Sequence, residues 1–101
     1  KAIRTRNGHT IRFNDKGDAG LLEIYDNKNN TYHITLSADD KKITIYSAGE
    51  IEVVADTDIN IKAKGDIGVN ADGNIGIKSK GNISMEAKKE VSIQASKVKV
   101  R

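Results

Sequence analysis

Apolar residues recur along this chain with a period of eight. From Ile43 onward the first apolar position of each octad holds Ile43, Ile51, Ile59, Ile67, Ile75, Ile83 and Val91. The position two residues later holds Ile45, Val53, Ile61, Val69, Ile77, Met85 and Ile93. Two further on stands a small residue: Ser47, Ala55, Ala63, Ala71, Ser79, Ala87 or Ala95. The next alternate position carries Gly49, Thr57, Gly65, Gly73, Gly81, Lys89 and Lys97, followed by Glu50, Asp58, Asp66, Asn74, Asn82 and Glu90. Apolar and polar residues alternate within each octad, the period of a strand with one buried face. An α-helix requires apolar spacings of three and four, which no window of the array offers. Ile, Val and Thr favour extended backbone, and Gly followed by Asp or Asn favours a turn through positive φ. Each octad is therefore predicted to be a short strand plus a corner, and an uninterrupted array of them predicts a β-solenoid or prism.

One chain is a poor builder of such a prism. With three octads to a triangular coil, the array completes little over two coils, below the roughly three repeats such architectures need. Both ends would also be open strand edges. Three chains wound around one axis place each octad between strands of its neighbours and bring the Ile and Val columns together. The predicted fold is all-β: an intertwined homotrimeric triple-stranded β-helix, a triangular prism built from octads. Its axis core comprises the two columns named above, Ile43 and Ile45 through Val91 and Ile93. Lys62, Lys64, Lys78 and Lys80 are expected outside. At about 4.8 Å per layer, the octads make a needle roughly 34 Å long.

Before Ile43 the register is looser. Ile11 with Phe13, Leu22 with Ile24, and Ile34 with Leu36 each alternate at period two, which predicts three longer strands. Turn-rich stretches separate them, Asn14 to Gly20 and Asp26 to Asn30. Residues 1–38 thus form a transition segment leading from an upstream domain, and residues 39–101 form the octad-repeat needle. The first residue is Lys1, so the chain is expected to be a piece of a longer protein. At the other end Val98 and Val100 fall one residue early, which compresses the last corner. Residues 96–101 are expected to close the prism, with Lys97, Val98, Lys99, Val100 and Arg101 as a docking surface, an apolar centre with a charged rim.

Composition narrows the chemistry. The 101 residues contain no Cys, Pro or Trp, so no disulfide framework or thiolate metal site is available. Phe13, Tyr25, Tyr32 and Tyr46 are the large aromatics, too few for a conventional aromatic core. His9 and His33 are the two histidines, with no second ligand spaced for a metal. They read as a turn histidine and a strand-face histidine. The Gly-Asp and Gly-Asn corners lack the period of nine and the further glycines of calcium-binding nonapeptides. No Ser-His-Asp arrangement can be assembled, so no enzymatic activity, metal or cofactor is expected. The net charge is +3, and between Ile75 and Arg101 seven basic residues face only Glu86 and Glu90. Outward lysines keep strand edges soluble. A basic tip would also suit an acidic cap or anionic lipid. Without stacking aromatics near the patch, nucleic acid is not an expected partner.

The segment Arg4-Thr5-Arg6-Asn7-Gly8-His9-Thr10-Ile11-Arg12-Phe13-Asn14-Asp15 resembles the start of the needle of VgrG proteins. So do Leu22-Glu23-Ile24-Tyr25-Asp26 and octads such as Lys64-Gly65-Asp66-Ile67 and Ser79-Lys80-Gly81-Asn82-Ile83. VgrG proteins are the spikes of the type VI secretion system, related to the central spikes of contractile phage tails. The resemblance runs along the whole chain and implies a trimeric, cell-puncturing needle at the head of a contractile tube. It further implies a conical PAAR-repeat protein at the tip, hub and tube proteins upstream, transient contact with a target membrane, and assembly in the bacterial cytoplasm before delivery outside. The chain departs from a full VgrG in lacking the hub, the oligonucleotide/oligosaccharide-binding barrel and an effector extension. Some phage spikes hold iron through a His-x-His motif, which is absent here. The alternative function class is a surface-binding module: a trimeric phage tail spike, fibre or adhesin stem. A recognition fibre is expected to end in an irregular, aromatic-bearing tip, whereas these octads stay regular almost to Arg101. A hexapeptide-repeat acyltransferase fails on the period of eight.

Overall fold

The computed structural model of the chain describes residues 1–15, 17–27 and 31–101. Lys16 and residues 28–30, which belong to the two predicted turn stretches, lie outside the described residues. The protein is all-β. Strands β1 (Ala2–Arg4), β2 (Thr10–Asn14), β3 (Leu21–Tyr25), β4 (Tyr32–Ser37) and β5 (Lys42–Ser47) form one antiparallel sheet in the order β1-β2-β3-β4-β5. The chain divides into two units, Lys1–Asn60, which holds the sheet, and Ile61–Arg101.

The period-two pairs Ile11/Phe13, Leu22/Ile24 and Ile34/Leu36 lie on β2, β3 and β4. Their register aligns apolar residues across the sheet. One row runs Ile3–Ile11–Ile24–Ile34–Ile45, and a second runs Phe13–Leu22–Leu36–Ile43. Because successive side chains of a strand point to opposite sides, both rows share one face. The other face carries Arg12, Glu23, Thr35 and Thr44 in one row and Tyr25, His33 and Tyr46 in another. There Arg12 lies 3.9 Å from Glu23, and the His33 and Tyr46 rings stack with centroids 5.0 Å apart. The sheet includes β5, so the strand of the first octad pairs within its own chain.

The loops explain their residues. Gly8 sits at φ 96°, in the left-handed region that favours glycine. The amide of Gly8 donates to the Thr5 carbonyl at 3.0 Å, and the Thr10 hydroxyl donates to the Gly8 carbonyl at 2.8 Å. Thr10 is only 4% exposed. The Gly8-His9-Thr10 motif is thus a tight β1–β2 connection, fastened by its own hydroxyl. Asp39, in the β4–β5 loop, accepts from the Ala19 amide at 2.8 Å and so ties that loop to the β2–β3 loop. Asp26 accepts from the amides of Thr31 and Tyr32 at 3.0 and 3.3 Å, which closes the β3–β4 connection.

Past Ser47 the chain changes character. Bends fall at residues 48–49, 56–57, 64–65, 72–73, 80–81 and 88–89, and then at Ser96 alone. These are the octad corners, spaced by eight, and the last takes one residue where the others take two. Between them the backbone is neither helical nor paired. Among the described residues, no backbone–backbone hydrogen bond involves a residue beyond Ala48. Ser47 and Ser79 each accept their corner glycine amide, Gly49 or Gly81, at 3.1 Å. The expectation that corners pass through positive φ is corrected: Gly49, Gly65, Gly73 and Gly81 all lie outside the left-handed region. A bend reached at ordinary φ accepts any L-residue, which accounts for Thr57, Lys89 and Lys97 at the same place. Among the described residues the left-handed ones are Gly8, Gly17, Gly20 and Lys41, all in the loops of the sheet.

Candidate functional site: the apolar columns

No apolar side chain among the described residues is buried. The chain exposes 10352 Å², nearly twice the roughly 5,600 Å² of a compact monomer of its mass. The excess is several times the about 800 Å² that each partner contributes to a standard stable interface. Its largest organised part is the octad array. From Ile51 to Val91 the first column is between 48% and 57% exposed, and from Val53 to Ile93 the second is between 68% and 77% exposed. Those values repeat octad after octad, so the same local geometry recurs along the array. Each octad presents a pair of apolar side chains, branched except for Met85, followed by a small one, and among the described residues these pairs remain exposed. Burying such side chains gives about 1.5–3 kcal/mol each.

The first pair of both columns belongs to the sheet. Ile43 and Ile45 sit on β5 and face the same side as Ile34 and Leu36 of β4. The first repeat of both columns therefore lies within the apolar rows of the sheet. Apart from Ile43 and Ile45, the residues of these rows are not among the site residues expected from the sequence. Their period-two alternation was legible, but the register that unites three separate strands and β1 into one face depends on the loops.

At the C-terminal end Val98 and Val100 are 55% and 92% exposed, among Lys97, Lys99 and Arg101. The two histidines sit apart. His9 precedes β2, and its Nδ1 lies 2.7 Å from the Tyr32 hydroxyl, with the rings stacked at 5.8 Å. His33 is on β4, on the opposite face, and its Nδ1 is buried without a hydrogen-bond partner. Among the described residues no three His, Asp or Glu side chains are grouped to hold a metal. The octads thus present exposed apolar columns and end among basic residues, and among the described residues no backbone–backbone hydrogen bond reaches beyond Ala48. No family model, curated protein or solved structure matches the chain.

Proposed function

We propose that this chain is the C-terminal needle of a contractile injection spike of the VgrG type, acting as an intertwined homotrimeric β-helix that pierces a target envelope. The observation that carries this reading is the pair of columns from Ile51 to Ile93, exposed every eight residues on a backbone that makes no backbone–backbone hydrogen bond among the described residues. Two further copies would supply both missing things. Their columns would fill the axis, and their strands would complete the ladders.

The function is mechanical. Sheath contraction would drive the needle forward, and its stiffness would come from interchain ladders around an axis packed with branched side chains. Bending such a prism breaks several ladders together. The upstream end joins hub and tube proteins, and the needle acts outside the cell that assembles it. At the other end Val98 and Val100, rimmed by Lys97, Lys99 and Arg101, would seat a PAAR-type cap. The single-residue bend at Ser96 supports a change of register there.

The test uses the assembled contractile particle. Ile67→Asp brings three carboxylates together near an apolar axis, where desolvation and like-charge repulsion both oppose assembly. It is expected to end delivery into target cells, while the outward Lys64→Asp preserves it. Deleting residues 96–101 is expected to leave the trimer folded and to abolish cap binding. Delivery at the parental rate by Ile67→Asp particles contradicts the reading. Full-affinity cap binding by the truncated needle moves the docking surface elsewhere.

A further inference from the structure

We infer that the five-stranded sheet is the register-setting device of the trimer: three copies close their apolar sheet faces on one another and so fix how the octads of the three chains align. This inference rests on the trimeric reading above.

The need for such a device lies in the repeat itself. An array whose apolar pairs recur every eight residues with nearly constant exposure is close to degenerate. If one chain slips by one octad, Ile still meets Ile or Val along most of the axis, and only one octad at each end loses its partners. Register is weakly specified wherever a repeat leaves the facing residues unchanged by the slip. Something outside the repeat must select one alignment.

The sheet has what the array lacks. Its strands differ from one another in sequence, and Phe13 and Leu22 have no counterparts in the octads. Ile24, Ile34 and Ile45 are successive cross-strand neighbours, so the face is physically continuous with the first octad on β5. That continuity identifies the occupant of the face as further copies of this chain, because whatever covers Ile43 and Ile45 in the trimer also lies beside Ile34 and Leu36. The opposite face carries the Arg12–Glu23 pair, Thr35 and Thr44 beside Leu21, Tyr25, His33 and Tyr46, so the two continuous aliphatic rows lie on one side only. The sheet is also a meander whose ladders all close within one chain. Neighbouring hairpins form by local contacts, ahead of pairings between distant or separate segments. A folded face would then be ready before the octads, which have no partner in their own chain, begin to pair.

The chain has no cysteine, so Lys78→Cys in the full chain carries a single spin label on an outward octad position. Label-to-label distances in the assembled protein then read the register. The parent is expected to be a trimer with one distance population. Ile24→Asp is expected to give a second population, shifted by one octad, or to stop assembly. Where it stops assembly, the milder Ile24→Ala/Leu36→Ala variant decides, with mixed distances expected in a trimer that still forms. Thr44→Asp, on the opposite face of β5, should keep the single parental distance. A single unchanged distance in a trimer of Ile24→Asp, or of the double alanine variant where the first does not assemble, overturns the inference while leaving the trimer intact. A monomeric parent overturns the trimeric reading itself.

Discussion

The sheet and the octad array are built from the same kinds of residue and reach different degrees of completion. The five strands between Ala2 and Ser47 pair with one another through four antiparallel ladders and leave one apolar face uncovered. Among the described residues, 49–101 make no backbone–backbone hydrogen bond, and their apolar columns stay exposed. The loops account for the difference. The strands of the sheet are antiparallel, and three of their connections carry a residue at positive φ, Gly8 before β2, Gly17 and Gly20 before β3 and Lys41 before β5. The octad corners turn without a left-handed residue and without a reversal that pairs one octad with the next. In the proposed trimer, strands of the other two chains would supply the hydrogen-bonding partners that the octads lack.

The sharpest way to break this comparison uses two residues that look alike in the isolated chain. Ile61 is 77% exposed and Val54 is 84% exposed, but Ile61 lies on a column and Val54 on the alternate, outward side. Ile61→Ala is expected to destabilise by about 2–5 kcal/mol at each of three sites, as a core cavity does. Val54→Ala is expected to stay within about 0.5 kcal/mol. Thermal unfolding of both variants at equal concentration checks this. Equal losses would mean that the columns are not a buried axis.

Glycine substitutions give the next largest effect, in the reverse sense. At Gly20, with φ 78°, a Cβ would approach the Asn14 carbonyl oxygen to 2.7 Å. Gly20→Ala should therefore cost about 1–3 kcal/mol through backbone strain. At Gly65 nothing lies within 4 Å of the new Cβ and the backbone is not left-handed. Gly65→Ala should be neutral within about 0.5 kcal/mol. A loss at Gly65 as large as that at Gly20 would place a partner chain against that corner.

These contrasts also show what could be read from the chain before its structure. The strands β2, β3 and β4 were legible because Ile11/Phe13, Leu22/Ile24 and Ile34/Leu36 alternate between stretches rich in Asn, Asp and Gly. Strand β1 was not, since Ala2-Ile3-Arg4 offers one apolar residue and no alternation to detect. The octad corners were legible in place, because the repeat marks them, but not in conformation. Glycine was read as a sign of positive φ, although Thr57, Lys89 and Lys97 at the same position already pointed to an ordinary bend. The columns were legible as a surface in need of cover. Their continuation onto the sheet was not, because Ile24 and Ile34 become neighbours of Ile45 only once the hairpins fold.

The smallest expected effect lies in the β3–β4 connection. A side-chain hydrogen bond with Thr31, and then the Thr31 and Tyr32 amides, hold the Asp26 carboxyl below its ordinary value of 3.8. A carboxylate favoured by the fold contributes its stability above the unfolded pKa and loses it as pH falls through the folded one. Amide exchange at Thr31 and Tyr32 should therefore be slowed near neutral pH, relative to the Asp26→Asn variant, with the difference vanishing in acid below the folded pKa. An equal difference at all pH values would mean that the charge of Asp26 plays no part. The effect belongs to the sheet alone and should leave the octads untouched.

The account turns on the claim that the exposed columns are one third of a shared axis. The mass of the folded chain in solution, by sedimentation equilibrium at micromolar concentration, tests it most directly. The predicted result is a single species of about 33 kDa, three times the 11.0 kDa chain, that does not dissociate on dilution without unfolding, as expected of an obligate oligomer. A stable, folded species of 11.0 kDa would contradict it.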